Sequence, residues 1–429
     1  MDHPWRSTLA AALLLAACEG PRLDFPTCTD VGADLTFATT PTWADDVGPI
    51  VQARCAECHQ DGGVAPIALT DPTVAATFAT AIRDAVVSRR MPPPGPTSCG
   101  ECNEYLNASW LDPKEIATLR AWADGGAPLG EGAAPVVAAQ PSGLDRVDLL
   151  LQIAEPYTPD ASQPDEYRCF IVPSGTTTDG FITGWEGRPG DTREVHHILL
   201  YTIEPGSEGA AALLDAASPG EGYSCFGGPS VPTGAAGGWV PGSDATLLPA
   251  GTGLPVPAGA SFILQVHYNL GQGATPDQTG FALKLEPTVN VQGAFALFAK
   301  NGFKLQPGQE AVTIEQVFPA FYPAYPGTIT LWGVLPHMHT LGTALHAEMW
   351  NKDSQTCVTD ATPWDFSNQS VYMYKDPLVV KGTDRMRLSC TYDTRTRTEV
   401  TRNGEGTADE MCLIYVYGTP GGPEAALGK

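Results

Sequence analysis

Two cysteines followed directly by a histidine form the first motif whose residue types can do chemistry. The run Cys55-Ala56-Glu57-Cys58-His59 has the pattern C-x-x-C-H. In this pattern the two thiols attach a haem covalently, and the adjacent His is placed to bind the iron. The alternative interpretation is a disulfide with an unrelated His beside it. We expect one c-type haem, held by Cys55, Cys58 and His59.

A distal haem ligand is predicted at Met91. Cytochromes with this motif usually need a distal ligand, most often Met, and Met91 is the only Met between residues 1 and 338. It lies in the run Arg90-Met91-Pro92-Pro93-Pro94, a rigid extended segment that can present a thioether. A His and Met ligand pair raises the haem potential and favours electron transfer over oxygen binding. The alternative is a buried apolar Met.

Six further histidines all lie after residue 195, in a part of the sequence that reads as β-structure. His337 and His339 are two residues apart, so on a strand they share one face and can chelate one metal. His196 and His197 would face opposite sides of a regular strand, and they need a bulge, a strand end or different ring nitrogens to share a metal. Imidazole together with a thioether is a ligand set that suits copper. The six residues are His196, His197, His267, His337, His339 and His346.

Four motifs containing these histidines and a Met occur in one order along the chain. They are Glu194-Val195-His196-His197-Ile198-Leu199-Leu200-Tyr201, Leu264-Gln265-Val266-His267-Tyr268, His337-Met338-His339-Thr340-Leu341-Gly342 and Asp409-Glu410-Met411-Cys412. With them, roughly residues 144–420 resemble the copper type II, ascorbate-dependent monooxygenases, which include the peptidylglycine α-hydroxylating and dopamine β-hydroxylating enzymes. The resemblance implies two antiparallel, jelly-roll-like β-sandwich domains with one copper each.

The resemblance also implies a role for individual residues. It assigns His196, His197 and His267 to an electron-transfer copper. It assigns His337, His339 and Met411 to the copper that activates O2, and Tyr415 to a substrate contact. Disulfides are implied for Cys169 with Cys225 and for Cys390 with Cys412. His346 matches no ligand position, and we interpret it as structural.

Two positions depart from the peptide-amidating members of the family. Leu335 stands where those enzymes have an Arg that grips the substrate carboxylate, and Leu413 stands where they have an Asn. Losing a charge-assisted contact of this kind removes the handle for a carboxylate substrate. We therefore expect a neutral or apolar small molecule with an activated C–H bond as the substrate, with O2 as co-substrate.

The remaining sequence predicts a multidomain chain whose helical and β parts are separate. Asp71-Pro72 and Asp112-Pro113-Lys114-Glu115 are helix starts, whereas the part beyond residue 144 alternates short apolar runs with Gly, Pro, Asp and Asn turns, as all-β sandwiches do. The predicted units are a signal peptide (1–17), a tether (18–42), a small all-α cytochrome c domain (43–127), a linker (128–143) and two all-β domains (144–287 and 288–420).

The N-terminus predicts export. Arg6 precedes a short apolar stretch that ends in Leu15-Ala16-Ala17-Cys18, which resembles the lipobox of bacterial lipoproteins. We expect Cys18 to carry lipid, so that only this anchor touches a membrane of the periplasm, outer membrane or cell surface. The alternative is a plain signal peptide with an incidental Cys.

Cysteines outside these motifs are expected to form disulfides, because they are even in number and export places them in an oxidising compartment. A local pair between Cys99 and Cys102 is the leading interpretation, since Asn103 replaces the His that a second haem would need. Pairing with Cys28 or Cys357 is the alternative.

Charge and motif content together define the functional hypotheses. The 429 residues contain 48 acidic and 24 basic side chains, a net charge of −24, which argues against a nucleic-acid partner. The leading hypothesis is a copper monooxygenase whose own haem receives electrons from an external donor and passes them on. The alternative is a non-enzymatic haem and copper electron-transfer lipoprotein on a monooxygenase-like scaffold.

Overall fold

The computed structural model describes most of the chain beyond its first 27 residues. The signal segment and the predicted lipidation site at Cys18 lie outside the described residues. Described are residues 28, 30–61, 65–137, 143–204, 206–225, 228–241, 243–271, 273–321, 327–352, 354–366, 368–404 and 408–428.

Short helices around one apolar core form the first folded module. After a π-helical turn at Trp43–Val47, the helices are α1 (Gly48–Arg54), α2 (Pro72–Thr77), α3 (Ala79–Val87) and α4 (Pro113–Asp124); α5 (Glu208–Ala217) and α6 (Pro423–Ala426) come later in the chain. Asp112 and Glu115 form a reciprocal capping box at the start of α4, as the sequence predicts. Buried Val51, Ile116 and Trp122 lie in the core of this module.

The segment after α4 belongs to the helical module as far as it is described. Pro128 O accepts a hydrogen bond from Trp43 N at 3.0 Å, and Ala134 O accepts one from Trp43 Nε1 at 2.9 Å. Val136 N donates to Thr70 O at 2.9 Å. The predicted linker 128–143 is therefore fixed to the helices through residue 137.

Two sheets pack face to face to form the first β-sandwich. One sheet has the order β1-β10-β3-β8-β11 with β7 beside β3, and the other has the order β5-β2-β9-β4-β6. Trp185 and Phe281 of the first sheet are buried against Phe262 and Ile198 of the second. The strands are β1 (Leu149–Gln152), β2 (Asp165–Pro173), β3 (Gly180–Arg188), β4 (Val195–Ile203), β5 (Tyr223–Ser224), β6 (Thr233–Trp239), β7 (Thr246–Leu247), β8 (Thr252–Val256), β9 (Ser261–Asn269), β10 (Gly280–Glu286) and β11 (Val291–Gln292).

A second sandwich follows with the sheet orders β12-β21-β15-β18 and β14-β19-β16-β17, and β13 pairs with β20 beside it. Leu331 and Ile414 of one sheet share a core with Leu345 and Leu388 of the other. The strands are β12 (Ala294–Ala299), β13 (Lys304–Leu305), β14 (Val312–Phe318), β15 (Thr328–His337), β16 (Gly342–Trp350), β17 (Gln355–Ala361), β18 (Tyr372–Lys381), β19 (Arg385–Tyr392), β20 (Thr401–Arg402) and β21 (Leu413–Pro420). The prediction of a mostly β chain with antiparallel sheets is confirmed.

Disulfides link distant parts of the chain. Cys169 pairs with Cys225 and Cys390 pairs with Cys412. The other two pairs are Cys28–Cys99 and Cys102–Cys357. Disulfides are typical of exported proteins, so the pairing indicates export. Among the described residues, no helix combines the length and the apolar character needed to cross a bilayer.

The predicted local disulfide between Cys99 and Cys102 is wrong, and the alternative partners Cys28 and Cys357 are right. The reason is that the segment after Cys99 lies along the second sandwich instead of folding back on itself. Asn103 Nδ2 donates to Cys357 O at 3.1 Å, and Thr97 N donates to Asp360 O at 2.7 Å. These contacts bring Cys102 beside β17, and the disulfide then joins the helical module covalently to the second sandwich.

Candidate metal centres

Three histidines of the first sandwich meet at the start of β4. His197 lies opposite His267 of β9, and the register between these strands shifts between Val195 and His197. This bulge turns the ring of His196 to the side of its neighbour, which resolves the problem that adjacent residues of a strand face opposite ways. The ligand atoms of His196, His197 and His267 all lie within 4.8 Å of one another. The structure thus brings together the three residues predicted for the first copper.

Neighbouring side chains orient the ring of His267 in this cluster. Its Nε2 is 2.9 Å from Asp165 Oδ1, which leaves Nδ1 facing His197 Nδ1 at 3.4 Å. Tyr167 stacks on the same ring at 4.1 Å between centroids and 8° between planes. A carboxylate on the far nitrogen is the usual partner of a metal-binding His, because it fixes which nitrogen faces the metal.

The imidazoles of this cluster are neutral near pH 7. Burial lowers the pKa of His196 to about 4 and is also the main cause that depresses the pKa values of His197 and His267. Neutral imidazole is the form that binds a metal. In addition, His196 Nδ1 is buried and finds no hydrogen-bond partner among the described residues. A metal ion at the centre of the cluster would satisfy this atom, so the donor set fits copper.

A second pair of histidines ends β15 in the other sandwich. The rings of His337 and His339 are 5.2 Å apart at 89°, while Met338 between them is fully buried in the core of the second sandwich. His337 Nδ1 contacts Gln369 Oε1, and His339 Nδ1 lies 3.1 Å from Asp409 O. These contacts fix the orientation of both rings. Burial lowers the pKa of His337 to about 3, so this ring is also neutral.

Glu410 shapes the loops around this pair, and sequence reasoning gave it no role. Its carboxylate accepts hydrogen bonds from Leu341 N at 2.6 Å and His339 N at 2.9 Å. Burial raises the pKa of Glu410 to about 7. The next residue, Met411, has its carbonyl held by Tyr392 OH at 2.8 Å. Glu410 therefore anchors the turn that carries His339.

The two histidine clusters face each other across a phenylalanine that sequence reasoning also missed. The ring of Phe366 lies 6.3 Å from that of His196 at 19° between planes, and 5.9 Å from that of His339 at 80°. Burial is the largest cause of the lowered pKa of His197, and the neighbouring histidines, including His337 and His339, lower it further. The clusters of the two sandwiches thus meet at the interface between the sandwiches.

A cavity that is open to solvent lies beside His337 and Met411. Tyr415 lines it, as the resemblance implies for a substrate contact, and Leu335 and Leu413 line it as well. The other lining residues are Leu199, Leu200, Tyr201, Ala235, Gly237, Phe295 and Val371. No side chain in this lining carries a charge, so the cavity fits a neutral molecule.

The C-x-x-C-H motif lies where α1 ends in the helical module. Cys55 and Cys58 are the cysteines left unpaired among the described residues. His59 Nδ1 lies 2.9 Å from Ile67 O, which fixes the ring and leaves Nε2 for an iron. Burial raises the pKa of the Cys55 thiol to about 12. Two free thiols beside a His with a fixed ring are the donor set that a covalent haem requires.

Met91 is exposed rather than buried, so the alternative of an ordinary core Met is wrong. It is 42% exposed and lies at a small pocket that is lined in part by Val86, Trp110 and Ile116. The role of Met91 as the distal haem ligand stays a prediction. His346, in contrast, lies 3.0 Å from Asp360 Oδ1, away from both clusters, in keeping with a structural role.

Comparison with known proteins adds a domain match and several relatives. Residues 304–420 match the model "Copper type II ascorbate-dependent monooxygenase, C-terminal domain". The peptidyl-glycine alpha-amidating monooxygenase of Mus musculus is 27% identical over 64% of this chain and 27% of its own. The tyramine beta-hydroxylase of Caenorhabditis briggsae is 24% identical over 65% of this chain and 50% of its own. The chain therefore spans about a quarter to a half of the length of these relatives.

Solved structures give only a weak likeness. The major capsid protein P2 from Bacteriophage PM2 aligns with 64% of this chain and 98% of its own at 9% identity, with a TM-score of 0.25, which carries no argument. The likeness to copper-dependent monooxygenases rests on the sequence comparisons. By these comparisons the chain is similar to copper-dependent monooxygenases, and residues 304–420 match the C-terminal domain of that family.

Proposed function

We propose that this protein is a copper-dependent monooxygenase that hydroxylates a C–H bond of a small organic molecule with O2. The observation that carries the proposal is that two clusters of histidines from separate sandwiches meet on either side of Phe366, beside a cavity that Met411 lines. His196, His197 and His267 would hold one copper, and His337, His339 and Met411 the other. Bound copper supplies the one-electron chemistry that O2 activation needs.

The chain's own residues prepare this chemistry in three ways. Asp165 and the Asp409 carbonyl fix the rings of His267 and His339, so that each presents one nitrogen to its metal. Glu410 holds the backbone after β15 in place beside Met411. The uncharged cavity would position a neutral substrate next to His337.

Electrons are proposed to reach these clusters from a haem on Cys55, Cys58 and His59. Burial raises the pKa of Glu57 in the haem motif, and the carboxylate of Asp244 raises it further. Asp244 follows β6, whose Trp239 pairs with Ile198, the residue after His197. The haem motif therefore lies near the loop that follows β6, and the haem would take its electrons from an external donor.

The function is tested by looking for an oxygenated product. Reduced, copper-loaded protein is incubated with ¹⁸O2 and a metabolite extract, and products that gain one labelled oxygen atom are sought by mass spectrometry. We expect such a product only when O2, copper and a reductant are all present. If reduced copper is oxidised with no labelled product in any extract, the non-enzymatic electron-transfer alternative is the better account.

A carboxylate is not expected to be the substrate handle. A peptide that ends in glycine should be hydroxylated poorly, by about 10²-fold or more relative to a neutral substrate, because Leu335 and Leu413 offer its carboxylate no charged partner. Product formation from the peptide and from an amide-capped version of it is compared by mass spectrometry. Leu335→Met, which keeps the site apolar, serves as the control. Efficient turnover of the free peptide contradicts this prediction.

The protein is proposed to be exported and anchored by lipid on Cys18, so that its body faces the periplasm or the cell surface. The disulfides support export. The lipid itself is tested by mass spectrometry of the N-terminal peptide from membranes of the native host. A peptide that begins at Cys18 without acyl chains rules the anchor out.

A further inference from the structure

The connection between β17 and β18 touches both histidine clusters. Trp364 Nε1 donates to His339 O at 3.2 Å, and Gln369 contacts the ring of His337. Between them, Phe366 lies nearly parallel to His196 and edge-on to His339. One short segment of the second sandwich therefore contacts His337, His339 and His196. None of the motifs that define the family resemblance includes it.

The same connection also holds the haem-bearing module. Asn368 Nδ2 donates to Pro93 O at 2.7 Å, two residues from the predicted haem ligand Met91. Tyr372 OH bonds to Asn368 Oδ1 at 3.0 Å, and its ring packs so closely on Gly95 that a Cβ there would lie 2.5 Å from the Tyr372 hydroxyl. The Cys102–Cys357 disulfide secures this contact from β17.

We propose that this connection is the electron path of the protein, with Phe366 as the positioning residue that packs the two clusters against each other. The proposal rests on the proposed function, because it presumes a haem and two coppers. In each transfer one electron leaves a ferrous haem, which becomes ferric, and reduces one Cu(II) to Cu(I); no bond forms and no proton moves. The hydrogen bond of Asn368 with Pro93 and the ring contacts of Phe366 with His196 and His339 are the contacts that carry the path.

Phe366→Leu is the variant that tests the path. The haem of the anaerobic, copper-loaded protein is reduced with a light-triggered one-electron donor, and its reoxidation is followed by absorbance while Cu(II) is followed by electron paramagnetic resonance. We expect haem reoxidation and Cu(II) loss to slow together by about tenfold or more, because Leu lacks the ring that packs between His196 and His339. Phe366→Tyr, which keeps the ring, should retain the wild-type rate.

Controls separate the path from the proposed function. Phe318→Leu makes the same substitution on β14, where the ring packs on Phe298, and should leave the rate unchanged. If Phe366→Leu loses copper, the path is tested with Asn368→Ala instead, because Asn368 is not among the ring contacts of the clusters. We expect the rate of haem reoxidation to fall by about fivefold when the hydrogen bonds of Asn368 are lost.

The outcomes are distinguishable. Unchanged haem reoxidation in copper-replete Phe366→Leu, or in Asn368→Ala where the first variant loses copper, overturns the path but leaves the monooxygenase intact. A wild-type haem that stays reduced beside Cu(II) overturns instead the supply of electrons by the haem, and with it the path. Product labelling with ¹⁸O2 remains the separate test of the monooxygenase.

Discussion

His337→Ala is expected to abolish hydroxylation while the protein keeps one of two coppers. The variant removes one ring from the pair that lies beside the cavity, and the cluster of His196, His197 and His267 in the other sandwich is untouched. Even the loss of a residue that merely orients a metal ligand costs about 10–100-fold, so the loss of a ligand should cost at least this much. Product formation and copper content per chain are measured on the same samples.

Matched variants test whether the effect of His337→Ala arises at its metal site. His346→Gln changes a histidine of the same sandwich that pairs with Asp360, and should keep both coppers and full turnover. His267→Ala should lose the other copper and spare the one beside the cavity. Met411→Ala should act in the same direction as His337→Ala, with loss of a thioether weakening copper affinity. One copper or none in reconstituted wild-type protein contradicts the two-site proposal, whereas zinc in a purified sample does not.

The local geometry of the clusters follows from sequence spacing. His337 and His339 share a face because side chains alternate along a strand, and the same rule buries Met338 in the opposite direction. Adjacent His196 and His197 need a bulge, a strand end or different ring nitrogens to share a metal, and the structure has its register shift at that point. The spacing of the histidines therefore predicts which of them can share a metal, but not which of these three arrangements the strand adopts.

Contacts made by distant segments are the part that the sequence does not predict. Glu410 and Phe366 meet the histidines only after the second sandwich has formed, and neither residue type signals a role by itself. Cys102 pairs with Cys357 because the segment between α3 and α4 lies along β17, although a partner three residues away makes the shorter loop. Likewise, the composition of residues 128–143 resembles that of a flexible linker, so the sequence does not predict that the helical module docks on the second sandwich.

Docking changes what is expected of the haem. A flexible tether would raise the effective concentration of a donor near its acceptor to about the millimolar range. In this structure the disulfide Cys102–Cys357 and the contact of Asn368 with Pro93 hold the helical module on the second sandwich. A haem in this module would then be held on the same chain as the clusters, and electron transfer would be a first-order process within one chain.

Replacing both Cys55 and Cys58 by Ala should remove the covalent haem and nearly all turnover on a physiological donor, while both coppers remain. The two thiols are the unpaired cysteines of the described chain, and they lie in the module that faces the loop after β6. The variant should still turn over with a small-molecule reductant that reaches copper directly, which separates the loss of electron supply from misfolding. Met91→Ala serves as the milder variant, expected to keep the haem but lose its sulfur-to-iron absorption band.

The decisive measurement is rapid mixing of reduced haem with oxidised copper in the absence of any other donor. Haem oxidation should match copper reduction at a rate that does not change with protein concentration, because donor and acceptor would belong to one chain. A rate that rises with protein concentration means that electrons pass between molecules. Undiminished turnover of the double Cys variant on the physiological donor means that the haem serves another partner, and either result excludes the internal route.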